Sequence, residues 1–290
     1  MNEKTDFSLK SESSDQRSDW LGLAGRVCVV SGAGSGIGAA IARALAGQGA
    51  QVALLDRDLP AARHMADALT EQGARTLAVE CDIADEHAVR ATADLVRSQL
   101  GPVSTLVNNA GLLRAGELES VSIAEWNAVL AVNLTGYLLC SRAFGQQMLE
   151  AGGGSIVHVA SISALHPQTG SGAYSASKAG VLLMSRQMAA EWGPRGVRSN
   201  VVCPGMVRTA LSARFYEAPG FEARRAAATA SRRIGEPVDI AEPVLFLASE
   251  RAAYVNGAEL LVDGGLGCMW MDLVPRPGFN DSARSQGAGE

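Results

Sequence analysis

From residue 26 onward the chain alternates short, nearly continuous apolar runs with longer stretches of helical period. Residues 27–31, 51–56, 75–81, 104–108, 155–161, 197–203 and 259–262 read as strands. Helices are expected over 36–48, 60–72, 85–100, 173–192 and 238–248. A long helical region over 122–150 is interrupted at Gly136, and a loop with helical character covers 209–231. Strands apolar on both faces, each followed by a helix, must be covered on both sides, which means a parallel sheet between two helical layers. No linker-like stretch divides this pattern, so one doubly wound α/β domain is expected over about residues 24–267. A polar leader (1–23), read as disordered, precedes it, and a tail (268–290) follows.

Composition narrows the function class. With 47% hydrophobic residues, 19% charged and a net charge of -5, the chain reads as an ordinary globular protein. The mild acidity gives no reason to expect a nucleic acid or an anionic membrane as partner. The leader lacks an apolar core of secretory type, and no apolar run was read as long enough to span a bilayer. The expected location is therefore the cytoplasm. Cys28, Cys81, Cys140, Cys203 and Cys268 are odd in number, widely spaced and without any C-x-x-C. They fit free thiols in a reducing compartment, and no metal site is expected. His64, His87 and His158 likewise lack metal-like spacing.

The first strand runs into Ser31-Gly32-Ala33-Gly34-Ser35-Gly36-Ile37-Gly38 and then a helix. Glycines there allow a tight turn and let backbone approach a pyrophosphate, which sits on the helix N-terminus. Asp56 ends the next strand, where a carboxylate accepts hydrogen bonds from ribose hydroxyls and repels a 2′-phosphate. NAD is thus expected over NADP, with Arg57 beside Asp56 softening the preference. Asp82, closing the third strand, is either a contact for the adenine amine or a helix cap. Farther on, Tyr174 and Lys178 lie four residues apart in a helix, which puts phenol and ammonium on one face. The chain has three lysines, and Lys4 and Lys10 are in the leader.

With Asn108-Asn109-Ala110-Gly111 and Pro204-Gly205 also in order, the sequence resembles the short-chain dehydrogenase/reductase family over about residues 24–266. The resemblance implies a Rossmann-type sheet of seven parallel strands with helices on both faces, a nicotinamide cofactor, and a homotetramer or homodimer. It places the family's glycine motif on Gly32, Gly36 and Gly38, its catalytic asparagine on Asn133 and its catalytic serine on Ser161. Cofactor contacts are implied at Ser35, Ile37, Ile83, Asn109, Ala110, Gly111, Tyr174, Lys178, Pro204, Gly205 and Val207 as well, with Thr209 on the carboxamide.

Hydride transfer from a secondary alcohol needs a group that takes the hydroxyl proton. A free tyrosine ionises near pH 10, so acting at neutrality takes roughly 4 kcal/mol of preferential phenolate stabilisation. Lys178 and a positive nicotinamide ring can supply part of it. Ser161 is expected to hydrogen-bond the substrate oxygen, and Asn133 to order a water beside Lys178. For the substrate, Ser161, Ser163, His166, Gln168, Met206 and Phe215 are candidate contacts, with Leu113, Leu211 and Tyr216 as further apolar lining and Arg114 as a polar one. Such a pocket suits a hydrophobic or cyclic small-molecule alcohol or ketone. Arg224-Arg225 and Arg232-Arg233 read as a helical surface or subunit contact in preference to a phosphate clamp. Trp270 and Met271 read as a patch that packs on a neighbouring subunit.

Three rival readings compete with this one. A Ser–His–Asp hydrolase is rejected, because no G-x-S-x-G surrounds any serine. An NADP-dependent 3-oxoacyl-carrier reductase of the same family would want a basic residue where Ser35 stands. A non-catalytic NAD-binding regulator would not need the full Asn133, Ser161, Tyr174 and Lys178 set.

Overall fold

A computed structural model describes residues 19–209, 212–213 and 217–279. Seven parallel strands form one sheet: β1 (Val27–Ser31), β2 (Gln51–Asp56), β3 (Thr76–Glu80), β4 (Thr105–Asn108), β5 (Gly154–Val159), β6 (Val197–Pro204) and β7 (Glu259–Val262). Their order is β3-β2-β1-β4-β5-β6-β7. β1 is the hinge of this order, with Val29 beside Ala53 of β2 on one side and Leu106 of β4 on the other. The chain winds outward in both directions from that pair, which is the expected doubly wound Rossmann-type architecture.

The alternation along β1 explains the layers. Cys28 and Val30 point into one core, Val27 and Val29 into the other, all buried. The first core is closed by α1 (Gly36–Gly47), α2 (Leu59–Glu71) and α8 (Pro237–Ala248), through Ile41, Leu69 and Val244 among others. The second is closed by α3 (Glu86–Leu100), α5 (Gly136–Ala151) and α6 (Tyr174–Trp192), through Val96, Phe144 and Val181. Two short helices complete the set, α4 (Ile123–Leu130) and α7 (Phe221–Ala227).

Local chemistry sets the helix starts. Asp85 accepts from His87 and Ala88 backbone N–H at 2.8 and 3.2 Å, so Asp85 caps α3 instead of opening it. Asp82 accepts from Ala84 N at 2.9 Å, which makes it a turn residue and not the helix cap.

Four expectations need correcting. The break in the 122–150 helix is a π turn at Ala131–Thr135, ahead of Gly136 and not at it. The chain is therefore helical without interruption over Ile123–Ala151, 29 residues, and by length and apolarity that run could cross a membrane. Its apolarity is spent on the sheet, since Tyr137, Phe144 and Met148 are fully buried. β5 stops at Val159, so Ser161 stands beyond the strand. Finally, Leu23, the last residue assigned to the leader, is fully buried and belongs to the domain.

Candidate active site

The reversal of strand order opens a crevice above the C-terminal ends of β1 and β4, where doubly wound sheets bind ligands. There the described residues line a cavity of about 650 Å³. Every cofactor residue inferred from the sequence lines it except Gly38.

Gly38 works behind the surface. A Cβ on it would lie 2.0 Å from Gly32 O and 2.5 Å from Asn109 Nδ2, so only glycine lets the first turn of α1 close onto its own loop. Gly36 differs. Its φ is +55°, and a Cβ there would meet nothing nearer than Thr209 at 3.5 Å. Open space above backbone at a helix N-terminus fits a pyrophosphate. Asn109 Nδ2 donates to Ser31 O and Gly32 O at 3.0 and 3.1 Å, and Ser31 Oγ accepts from Asn109 N at 3.0 Å and Ala110 N at 3.2 Å. The loop after β4 thus holds the glycine loop in place. Asp56 receives Gly34 N at 2.9 Å and Asp58 N at 3.0 Å, and its carboxylate still lines the cleft.

At the other end, Ser161, Tyr174 and Lys178 share the cavity wall. Tyr174 opens α6, and burial pushes its phenol above the usual tyrosine range while a hydrogen bond from Ser161 draws it partly back. Lys178, one turn on, is pushed down to about 7 by burial, with Cys203 acting weakly in the opposite direction. Ser161 Oγ accepts from Ser163 N at 3.1 Å, which caps a short 3-10 turn and leaves the hydroxyl proton for another acceptor.

Asn133 is not on the wall. It sits fully buried in the π turn, donates to Leu112 O and Ser177 Oγ at 2.9 and 3.1 Å, and accepts from Leu112 N at 2.8 Å. Its side chain ties the loop after β4 to α6, next to Lys178. The position a Gly111 Cβ would take is 3.8 Å from both Asn133 Oδ1 and Lys178 Nζ, so the three converge.

On the substrate side, Ser161, Ser163, Gln168 and Met206 face the cavity. His166 does not. Its ring packs edge-on against Trp270, centroids 4.8 Å apart, so the C-terminal segment takes it away from the cleft. Trp270 accordingly has a partner within its own chain, although it remains half exposed. Arg114 is not part of the lining. Phe215, Leu211 and Tyr216 lie outside the described residues.

The sequence reading missed Cys81, Val132, Val159, Ala160, Ile162 and Arg225 as lining residues. Arg225, read as a surface or subunit contact in preference to a phosphate clamp, lies at the cavity because α7 folds back over it. Cys28, Cys81, Cys140 and Cys203 are free and buried, while Cys268 is exposed. Among the described residues no group of side chains could hold a metal ion. His158 is buried and packed, bonded to Asn108 Nδ2 and Ser199 Oγ, each at 3.2 Å.

A family model described as enoyl-(acyl carrier protein) reductase matches residues 32–267. D-threitol dehydrogenase of Mycolicibacterium smegmatis is 42% identical over 243 residues, covering 84% of this chain and 93% of that one. Galactitol 2-dehydrogenase (L-tagatose-forming) of Cereibacter sphaeroides is 42% identical over 247 residues, 84% and 95% of the two chains. The crystal structure of a gluconate 5-dehydrogenase from Burkholderia cenocepacia, in complex with NADP and tartrate, superposes with a TM-score of 0.83 at 30% identity, covering 87% and 99%. The sheet order, the glycine loop, the Tyr174–Lys178 pair and these likenesses agree, and the chain belongs to the short-chain dehydrogenase/reductase family of oxidoreductases.

Proposed function

We propose that the protein interconverts a secondary alcohol and its ketone with NAD(H), using Tyr174 as general acid/base. The observation that carries this is the shared cavity: Ser161, Tyr174 and Lys178 line the same space as the glycine loop and Asp56. When bound, the nicotinamide supplies the hydride acceptor and, oxidised, a positive ring. Tyr174 takes the hydroxyl proton as hydride leaves the carbinol carbon, and returns it in reduction. Within the protein alone, burial favours the neutral phenol. Ionising it therefore depends on positive charge, which Lys178 provides when protonated. Ser161 donates to the substrate oxygen. Asn133 fixes Leu112 and Ser177, and a water beside it completes the path from Lys178.

The Asp56 carboxylate at the cleft supports NAD, because a carboxylate at the end of the second strand accepts from ribose hydroxyls and repels a 2′-phosphate. Leu112, Leu113, Val132, Met206 and Phe221 support a hydrophobic or cyclic substrate. Two observations favour a second reading, a polyol substrate with NADP. The relatives named above act on polyols, and the gluconate 5-dehydrogenase was crystallised with NADP.

A panel of cyclic alcohols and polyols with NAD+ or NADP+ decides between them by cofactor reduction. Tyr174→Phe is expected to lower turnover by about a thousandfold, within the range of general acid/base catalysis, while NADH still binds. Undiminished turnover in that variant would end the proposal. NADH binding without turnover on any substrate would favour a non-catalytic role.

We also expect a cytoplasmic homotetramer or homodimer. The four buried free thiols fit a reducing compartment. Exposed Leu183, with Leu260 and Leu261 on edge strand β7, offers faces that another copy would cover. The mass in solution by light scattering tests this.

A further inference from the structure

Lys178 has an unusual neighbour. Its Nζ donates to Val159 O at 2.8 Å and to Tyr137 Oη at 3.2 Å, and lies 4.9 Å from the centre of the Tyr137 ring. Tyr137 Oη in turn donates to Val159 O at 3.0 Å. The three atoms close a small ring of hydrogen bonds, and Tyr137 is fully buried. An ammonium has three donors. Two of them are spent on this floor, and the remaining one faces the cavity, which Lys178 lines.

The placement of Tyr137 follows from the helix. It stands four residues after Asn133, just past the π turn, so both project toward α6. Asn133 holds Ser177, and Tyr137 holds the next residue, Lys178. Behind the phenol, His158 stacks at 5.9 Å between ring centres with 22° between planes. That histidine is kept neutral, pushed down to about 3 by burial and then by the charge of Lys178.

We propose that Tyr137 is a positioning residue for Lys178, its hydroxyl accepting one ammonium proton so that another is directed at the cofactor and at Tyr174. The proposal rests on the reading of Tyr174 and Lys178 as the acting pair. The groups facing Lys178 from the surrounding elements are Tyr174 on α6, Tyr137 on α5 with Cys140 behind it, His158 on β5 and Cys203 on β6. None of these carries a negative charge at neutral pH. The ammonium is therefore held by the Val159 carbonyl, the Tyr137 hydroxyl and the Tyr137 ring face, and loss of the hydroxyl removes one of two fixed acceptors.

The sign follows directly. Lys178 already titrates low, at about 7, and a lost acceptor destabilises only the charged form, so its pKa falls further. Tyr174 then loses positive charge at neutral pH, and the pH at which alcohol oxidation switches on rises.

Tyr137→Phe keeps the ring and removes the hydroxyl. Lys178 can be watched directly, because the chain has three lysines and the other two are Lys4 and Lys10. With lysine labelled at Cε, the NMR titration of Lys178 is expected to move down by about one pH unit in the variant, the size of one charge-assisted hydrogen bond. The acidic limb of kcat for oxidation should rise by a similar amount, giving about a tenfold loss near pH 7. An unchanged Lys178 titration in a folded variant would overturn the proposal, even if the melting temperature falls. If the variant fails to fold, Tyr137→Leu, which also lacks the acceptor and overpacks nothing, must also shift the titration. A shifted titration with full activity in Tyr174→Phe would instead leave Tyr137 in place and sink the reading of the acting pair.

Discussion

The two halves of the cleft are built by different means. The cofactor half is a lattice of short backbone contacts: Gly32 O against Gly38, Asn109 Nδ2 across Ser31 and Gly32, and the Asp56 carboxylate on Gly34 N. All of these lie at the ends of buried strands. The substrate half hangs on loops after β5 and β6, on the short helix α7, and on a C-terminal segment whose Trp270 packs edge-on against His166. At Gly32 and Gly38 the one half has no room for an extra atom, and the other is bounded by side chains that can be exchanged. This is the division expected of a fold that keeps its chemistry and changes its substrates.

The hardest test of that contrast is Gly38→Ala. The new Cβ would overlap Gly32 O and crowd Asn109 Nδ2, both of them fixed. We expect a loss of about 3 kcal/mol or more, at the upper end of overpacking effects, together with loss of cofactor binding. Met206→Ala, on the opposite side of the same cavity, should leave the melting temperature nearly unchanged and act through KM for the substrate. Urea unfolding and NADH titration of both variants would settle the matter. Equal destabilisation would mean that the halves are alike in rigidity.

A smaller effect is expected where the cofactor half meets solvent. Asp56 is only partly buried, and its interactions with Gly34 and Asp58 are local. Asp56→Ser would remove the charge proposed to repel a 2′-phosphate while keeping a small polar group at the turn. The ratio of kcat/KM for NAD+ over NADP+ is expected to fall by about tenfold, roughly the effect of one exposed charge at close range. A ratio that stays constant would show that Arg57 or a loop sets the preference.

The same contrast explains what could be read from the sequence. β1 and the glycine loop were legible because a buried parallel strand must be apolar and a backbone-lined turn must be glycine. Asn133 was found through the family resemblance, but its actual bonds, to Leu112 and Ser177, depend on a π turn that no residue pattern announced. Tyr137 was invisible for a related reason. In a long apolar helix a tyrosine reads as packing, and only the fold places its hydroxyl 3.2 Å from Lys178. His166 and Arg225 stayed open in the sequence because their positions depend on where loops and α7 fold back. Sequence spacing carries no record of that.

The weakest tie in the substrate half is also the easiest to remove. Trp270 belongs to a segment beyond the part that the family model matches, and it meets the rest of the site at His166. An edge-on aromatic contact contributes about 1 kcal/mol, and Trp270 is half exposed, so Trp270→Ala should lower the melting temperature by no more than about 3 °C. Its other consequence is local. Freed from the indole, the His166 turn would lose one contact while keeping its own hydrogen bonds, and Ser163 and Gln168 on the same turn line the cavity. We expect KM for the substrate to rise a few-fold with KM for the cofactor unchanged. If instead both constants moved together, the C-terminal segment would be acting on the whole cleft, and the two halves would be less independent than their construction implies.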